Sequence, residues 1–176
     1  MIQEAFYMDM NNNDILIRLR YALDIKNSDM VEIFKLGGIT VTKEDVTMLL
    51  KKTNDDYEDE IDEEAIYCDN IMLESFLNGL IIFKRGRQTP KPGQPERPAY
   101  TIKSDGSVNN VLLKKLKVAL SLTSEDILEI LEDVGVIVSK GELTAIFRKE
   151  GHKHYMECGD KYARNFLKGL AMRYRG

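Results

Sequence analysis

The chain of 176 residues contains two copies of one sequence pattern. Residues 12–52 align without a gap on residues 109–149 at a constant offset of 97, and fourteen of these forty-one positions are identical. From Cys68 and Cys158 onward the offset is 90, and the two copies close on FLNGLIIFKRG and FLKGLAMRYRG. Repetition of this length indicates a duplicated structural unit, so any fold predicted for one copy must also suit the other.

Each copy is predicted to form four helices. Apolar residues recur at helical spacing over residues 15–23 and 30–34, and the spacing is repeated in the second copy. Ser28 and Ser124 are the predicted N-caps of the second helices, because a short hydroxyl side chain can accept from a free backbone N–H.

The third and fourth helices carry clearer boundary signals. Thr42 and Ser139 are each followed three positions later by an acidic residue, which is the pattern of a capping box. The fourth helices are predicted from about residue 70 to 85 and from about residue 160 to 175. Both end in Arg-Gly, which suits a helix end because glycine tolerates the left-handed backbone there.

Two glycines interrupt the apolar face of the fourth helices. Gly79 and Gly169 stand at equivalent positions, and glycine inside a helix costs about 1 kcal/mol relative to alanine. We therefore expect another backbone to approach each of these helices closely. The wide apolar face around each glycine predicts that the fourth helices are central to the fold.

The division of the chain follows from the repeat and from the prolines. Residues 12–86 and 109–176 are the predicted helical repeats, and residues 1–11 are an N-terminal extension. Residues 87–108 hold all four prolines and are predicted to form an extended linker without a helix. A unit of roughly 70 residues supports only a small core, so we expect one all-α globule in which the repeats pack about an approximate two-fold axis.

Composition places the chain among soluble globular proteins, with 43% apolar and 31% charged residues. No run of eighteen apolar residues exists, so no membrane span and no membrane partner are expected. The two cysteines, Cys68 and Cys158, follow no disulfide-rich spacing, which favours a reducing compartment. We therefore predict a cytoplasmic protein.

The net charge of −4 is divided unevenly along the chain. Residues 1–86 carry 9 basic against 18 acidic residues, whereas residues 87–176 carry 16 against 11. Residues 55–64 hold eight carboxylates within the longer first copy, and they lack the glycine and ligand spacing of a calcium loop. We expect a solvated surface loop there, and a further hypothesis is that it screens a basic surface elsewhere on the molecule.

The repeated segments resemble a known family. NNDILIRLRYALDI and SFLNGLIIFKRG in the first copy, with VLLKKLKVALSLTSEDILEIL and HKHYMECGDKYARNFLKGLA in the second, resemble the YehS-like family of bacterial proteins. That family is a tandem-repeat domain of unknown function. The resemblance runs from about Asn11 onward and implies a bacterial cytoplasmic protein with a duplicated helical domain. It carries no catalytic residues, and the nine residues before Met10 depart from the family pattern.

The segment HKHYMECGD holds the most chemically suggestive cluster in the chain. His152, His154 and Cys158 are residue types that bind zinc, but zinc-site spacings are absent and the histidines have no counterparts in the first copy. We therefore treat them as weak metal candidates and expect structural roles. Phosphate-binding loops and nucleophile elbows are also absent, so neither a catalytic residue nor a cofactor is predicted.

Positive charge recurs at equivalent positions of the two copies. If a two-fold axis relates the copies, these side chains form a symmetric basic surface that suits a nucleic-acid backbone or an acidic protein. The alternative is a solvated face with local ion pairs. The candidate ligand-binding residues are Arg18, Arg20, Lys43 and Arg85 in the first copy, and Lys115, Lys117, Lys140 and Arg175 in the second.

These observations lead to two functional hypotheses. The first is a non-enzymatic interaction or adaptor module, with an unknown protein partner or self-association through the oppositely charged halves. The alternative is a nucleic-acid-binding protein that uses the repeated basic positions. Acidic residues early in the predicted third helix, TKEDVTMLLKK, count against reading of base edges in the major groove and leave backbone binding open.

Overall fold

The computed structural model describes residues 10–51, 65–87, 89, 91–94 and 98–175. Within these ranges the chain forms eight α-helices and no strand, so the predicted all-α class is confirmed. The helices of the first repeat are α1 Asn12–Ala22, α2 Asn27–Leu36, α3 Lys43–Leu49 and α4 Asn70–Arg85. Those of the second repeat are α5 Val108–Ala119, α6 Ser124–Asp133, α7 Lys140–Phe147 and α8 Asp160–Arg175.

Some predicted features lie outside the described ranges. The first nine residues and the acidic segment 55–64 belong to them, so the screening hypothesis stays untested. Of the helices in the described ranges, none combines the length and apolar character needed to cross a bilayer. The cytoplasmic location stays a prediction.

The predicted caps of the third helices are confirmed. Thr42 accepts a hydrogen bond from the backbone N–H of Asp45, and the Asp45 carboxylate accepts from the backbone N–H of Thr42. Ser139 accepts from the backbone N–H of Glu142, but the capping box predicted there is not formed, because the Glu142 carboxylate accepts from the Ser139 hydroxyl, at 3.3 Å, instead of from the Ser139 backbone N–H. Each interaction satisfies a donor that the first turn of a helix leaves free.

The predicted caps of the second helices are wrong in both copies. Thr123 caps α6 and forms a capping box with Asp126, whereas Ser124 is already the first helical residue. The equivalent position in the first copy is Lys26, which offers no side-chain cap to α2. The apolar spacing marked these helices but left their first residue ambiguous by one position or more.

The central helices are confirmed at their predicted bounds, and their glycines are in close contact with another helix. A Cβ atom added at Gly79 would lie 1.8 Å from the carbonyl oxygen of Ile33 in α2. One added at Gly169 would lie 2.6 Å from the carbonyl oxygen of Ile130 in α6. The fourth helix of each repeat therefore crosses the second helix of the same repeat at a separation that a side chain would prevent.

The two repeats interlock through their first and fourth helices. Helix α1 packs along α8, and α5 packs along α4, so each first helix is covered by the other repeat. The paired helices run parallel: Met10, just before α1, donates to Asp160 at the start of α8, and Arg175 at the end of α8 reaches Asp24 just after α1. The predicted pseudo-two-fold packing of the repeats is therefore confirmed, while the exchange of first helices was not predicted, and buried residues of both copies form one hydrophobic core.

The linker is only partly as predicted. Its last residues form a 3-10 turn, Asp105–Ser107, and α5 begins at Val108, so the prediction that residues 87–108 contain no helix is wrong at that end. Pro98 accepts a hydrogen bond from Asn78 of α4 at 3.0 Å. This part of the linker is therefore fixed to the helix that it crosses.

Candidate functional site

A buried asparagine organises the end of each repeat. The Asn13 side-chain amide donates to the carbonyl oxygens of Leu49, at 2.9 Å, and Ile66, at 2.8 Å. Its side-chain oxygen accepts from the backbone N–H of Cys68 at 2.9 Å. One side chain thus fixes the end of α3 and the segment that enters α4.

The second repeat contains the same arrangement. Asn110 donates to the carbonyl oxygens of Ile146 and Met156, both at 2.9 Å, and accepts from the backbone N–H of Cys158. The sequence analysis missed these residues. The available signal was an Asn-Asn pair before both apolar runs, at the offset of 97. Their burial makes them structural residues rather than ligand-binding ones.

A buried ion pair joins the repeats between α4 and α5. Lys115 Nζ lies 3.0 Å from Glu74 Oε2, with side-chain exposures of 10% and 2%. Lys115 also donates to Asn78 Oδ1 and, at 2.7 Å, to the carbonyl oxygen of Ala99. The predicted ligand-binding residue Lys115 is therefore occupied within the molecule. Burial lowers the pKa of its ammonium group, and the adjacent Glu74 carboxylate partly offsets that effect.

The linker is held by the same carboxylate. Glu74 accepts hydrogen bonds from the backbone N–H and hydroxyl of Thr101, at 2.6 and 2.8 Å, and from the backbone N–H of Ile102 at 2.8 Å. Burial alone would raise the pKa of Glu74, but these bonds and that from Lys115 hold it below its ordinary value. The charged carboxylate therefore anchors linker residues 101 and 102 above α4 and α5.

A cavity of about 590 Å³ lies beside this anchor. Helices α4 and α5 contribute apolar side chains, and the linker and the segment after α7 complete the wall. A volume of this size is typical of small-molecule sites. The apolar lining includes Ile81, Pro98, Val111 and Val118.

Three lysines outside the predicted set line this cavity. Lys103 and Lys149 are exposed, whereas Lys114 is half-buried and donates to the carbonyl oxygen of Arg148 at 3.1 Å. Burial lowers the pKa of Lys114. Glu150 is the acidic residue of the lining, and its carboxylate already accepts from the Ser104 hydroxyl at 2.8 Å. The rim of an apolar cavity is therefore predominantly cationic.

Tyr155 adds a hydrogen-bond donor to the cavity. Its hydroxyl is buried and has no hydrogen-bond partner, although the residue lines the cavity. Burial raises the pKa of the phenol, and the negative charges of Glu150 and Glu157 raise it further. The phenol is therefore protonated near neutral pH and can donate to a bound acceptor.

Arg85 and Arg175, which the sequence analysis selected as ligand-binding candidates, make contacts between the repeats. Arg85 Nη1 donates to the carbonyl oxygen of Val118 at 3.2 Å and to Ser121 Oγ at 3.1 Å. Arg175 Nη1 makes the equivalent bonds, to the carbonyl oxygen of Tyr21 and to Asp24 Oδ1. Each arginine thus stabilises the C-terminal end of a first helix across the pseudo-two-fold axis.

The other repeated basic residues differ in their surroundings. Arg20 donates to Asn27 Oδ1 at 3.2 Å, and Lys117 lies over the ring of Phe147 at 5.5 Å from its centroid. Of the remaining three, Lys43 is exposed at the start of α3, and Lys140 Nζ lies 3.5 Å from Glu125 Oε1. Arg18 is exposed, and the positive charge of Arg164 contributes to lowering its pKa. Lys115, Arg85 and Arg175 therefore make contacts that hold the repeats together. Ligand binding by the whole set stays a prediction.

The histidine and cysteine candidates differ in their exposure to solvent. Cys158 is buried, while His152 and His154 are exposed, with ring centroids 5.8 Å apart. Burial, with the negative charges of Asp160 and Glu157, raises the pKa of the Cys158 thiol to about 12. Across the described part of the chain, no three His, Cys, Asp or Glu residues are grouped as metal ligands.

The fold and the cavity define a class of protein: a duplicated all-α module in which the first helix of each repeat is covered by the other repeat. A family model described as "Protein of unknown function (DUF1456)" matches residues 12–86 and 109–176. The chain belongs to this family. It is 43% identical over 166 residues to "Uncharacterized protein YehS" of Escherichia coli (strain K12), covering 93% of this chain and 96% of that protein.

The family resemblance drawn from the repeated segments is therefore confirmed. No solved structure matches the chain. The comparisons attach no activity, ligand or partner to the family, so a functional proposal rests on the geometry of the molecule.

Proposed function

We propose that this protein is a non-enzymatic binding module whose ligand is a small molecule with an apolar body and one carboxylate or phosphate group. The observation that carries the proposal is the cavity beside the linker, which combines an apolar lining with three lysines and the unpartnered hydroxyl of Tyr155. Such a combination provides both affinity for an apolar group and orientation of a polar one.

The cationic rim supports an anionic ligand group. Of the three lysines, Lys114 is the best-supported contact for a ligand anion, because it is half-buried and its ammonium group is already partly desolvated in the free protein. A ligand anion would form a charge-assisted hydrogen bond with this ammonium group, and such bonds are about twice as strong as neutral ones. Tyr155, in the segment after α7, also lines the cavity and can donate a second bond.

The apolar lining supports a ligand body of modest size. Ile81 of α4 and Val111 and Val118 of α5 present hydrocarbon to the cavity. Burying about 100 Å² of ligand hydrocarbon contributes about 2.5 kcal/mol. The cavity is open to solvent at the lysine rim, so the apolar part of the ligand should enter first and leave its charge at the rim.

Calorimetric titration with octanoate tests the proposal, with 1-octanol as the uncharged probe of matched length. We expect octanoate to bind about tenfold more tightly than octanol, which corresponds to about 1.4 kcal/mol for the charged group. Lys114→Met should remove this preference, and Tyr155→Phe should weaken octanoate binding. Lys35→Met is the matched control, because Lys35 is exposed at the end of α2 and distant from the cavity lining.

The dependence on pH gives a second readout. A bound anion favours protonated Lys114, so affinity should fall as pH rises through the lowered pKa of this residue. The Lys114→Met protein should lack that fall. Absence of octanoate binding, or equal binding by the Lys114→Met protein, would contradict the proposal.

The predictions from the sequence remain separate proposals with their own measurements. Sedimentation at increasing protein concentration tests self-association through the oppositely charged halves. Fluorescence anisotropy with mixed-sequence DNA and RNA at low and moderate salt tests nucleic-acid binding. Loss of binding after Lys43→Ala and Lys140→Ala would support the nucleic-acid proposal, since both lysines are exposed at equivalent helix starts.

A further inference from the structure

The groove between α1 and α8 is the pseudo-symmetric counterpart of the groove that holds the Glu74–Lys115 ion pair. The offsets of 97 and 90 place Arg18 at the position of Lys115 and Arg164 at the position of Glu74. One groove therefore joins opposite charges at 3.0 Å, whereas the equivalent positions of the other groove hold two arginines whose positive charges repel.

The guanidinium of Arg164 lacks the partners that its counterpart has. Its Nη2 atom is buried and makes no hydrogen bond. In the other groove, Glu74 accepts from Lys115, Thr101 and Ile102. A buried charged donor without an acceptor is costly, because the group has given up water and gained nothing in exchange.

Arg18 experiences the same shortage of negative charge. Burial lowers the pKa of Arg18, and the positive charge of Arg164 lowers it further. Asp14 acts in the opposite direction, but its carboxylate already accepts from the backbone N–H of Asn11, at 3.1 Å, in the capping box of α1. An anion between the two guanidinium groups would remove the repulsion and satisfy the buried donor.

We propose that Arg18 and Arg164 form an oxyanion site that takes a carboxylate or phosphate group. Guanidinium groups suit this role because their planar donors match two oxygens of one anion. Lys168 adds a third cation on α8, one turn after Arg164, at the position that Asn78 occupies in the other groove. The site is distinct from the cavity beside the linker, which lies against α4 and α5.

The anion that this chemistry accepts is a free or ligand-borne phosphate or carboxylate group.

The test is thermal unfolding with increasing sodium phosphate at constant ionic strength. It uses the full chain. A bound anion should raise the unfolding midpoint by about 5 °C at saturating phosphate. Arg164→Glu recreates the charge pattern of the other groove, so it should raise the midpoint without phosphate and abolish the response.

Two further variants keep the result interpretable. Arg18→Met removes the more exposed guanidinium and should abolish the response even if Arg164→Glu does not fold. Lys114→Met lies in the other cavity and should leave the response unchanged.

Each outcome decides the proposal. A response of the full chain that Arg18→Met abolishes supports a site for a free anion. If the full chain does not respond, or if the Arg18→Met and Arg164→Glu proteins respond like the unaltered chain, the proposal is overturned.

Discussion

Arg85 and Arg175 make reciprocal contacts across the molecule. Each guanidinium donates to a backbone carbonyl at the end of the other repeat's first helix, at 3.2 Å from Arg85 and 3.1 Å from Arg175. The C-terminal end of a helix carries partial negative charge and free carbonyl oxygens, so an arginine there is favourable. The arginines of the repeated Arg-Gly endings therefore serve the contact between the repeats.

Removing these arginines should weaken the interlocked fold. We expect Arg85→Met to lower the free energy of unfolding by about 1 kcal/mol or more, since its hydrogen bonds to the end of α5 are lost. Arg175→Met should cost about 2 kcal/mol, because this guanidinium donates to the end of α1 and stacks over Tyr21 at 4.3 Å from the ring centroid. Urea denaturation measures both, with exposed Lys153→Met as the control; a loss in either arginine variant no larger than that of the control would contradict the prediction.

The Glu74–Lys115 pair should make stability sensitive to acid. The pKa of Glu74 is held below its ordinary value, so its contribution is complete above that ordinary value and is lost as pH falls through the lowered one. Glu74→Gln leaves the Lys115 ammonium buried without its counter-ion and should cost about 3 kcal/mol at neutral pH. Urea denaturation at several pH values should show a flatter acid limb for this variant than for the exposed control Glu132→Gln.

The buried asparagines should be among the most sensitive polar positions. Asn13→Leu and Asn110→Leu each leave two carbonyl oxygens and one N–H without their partner, and we expect each to cost about 3 kcal/mol or more. Asn12→Ala removes a side chain that donates to Asn70 and should cost only about 1 kcal/mol. Chemical denaturation of the three variants tests this order, and a reversed order would contradict it.

The glycines of the helices should respond to alanine in opposite directions. Gly79→Ala places a methyl group against the carbonyl oxygen of Ile33, so the variant should lose several kcal/mol of stability or fail to fold. Gly141→Ala, in α7, meets nothing closer than Ser139 Oγ at 3.8 Å and should stabilise by up to about 1 kcal/mol. Thermal unfolding distinguishes the two, and a tolerated Gly79→Ala would mean that the helices can separate.

The two thiols should be unreactive in the folded protein. Burial, together with the negative charge of Asp69, raises the pKa of the Cys68 thiol to about 12; burial and the charges of Asp160 and Glu157 raise that of Cys158 to about 12 as well. Since the thiolate is the reactive form, alkylation by iodoacetamide near neutral pH should be slow and should follow unfolding. Rapid modification of either cysteine in native buffer would show that its segment opens locally.

The sequence predicted those parts of the fold that depend on neighbouring residues. The bounds of α4 and α8, the cap at Thr42 and the close approach at Gly79 each follow from a spacing within a few positions. Periodicity also assigned the helical class, because the apolar positions of both copies agree. A single sequence is enough to detect these signals, because hydrogen bonding and steric fit between neighbouring residues determine them.

The exchange of helices between the repeats could not be predicted in this way. The offset shows that Leu16 and Leu113 are equivalent, but it does not say whether a helix packs within its own repeat or on the other. The cavity depends on the path of a linker that has no periodic pattern. The alignment shows that the acidic Glu74 of the first copy is replaced by the basic Arg164 in the second. What this change of charge means is clear only once the structure shows which residue lies opposite each position.

The parallel pairing of α1 with α8 also constrains how the chain can be made. The bond from Met10 to Asp160 joins residues 150 positions apart, so α1 stays without its cover while the ribosome synthesises everything between them. At about 5–20 residues per second this delay lasts roughly ten seconds or more, during which the apolar face of α1 is available to chaperones. The first repeat is therefore translated first and completed last.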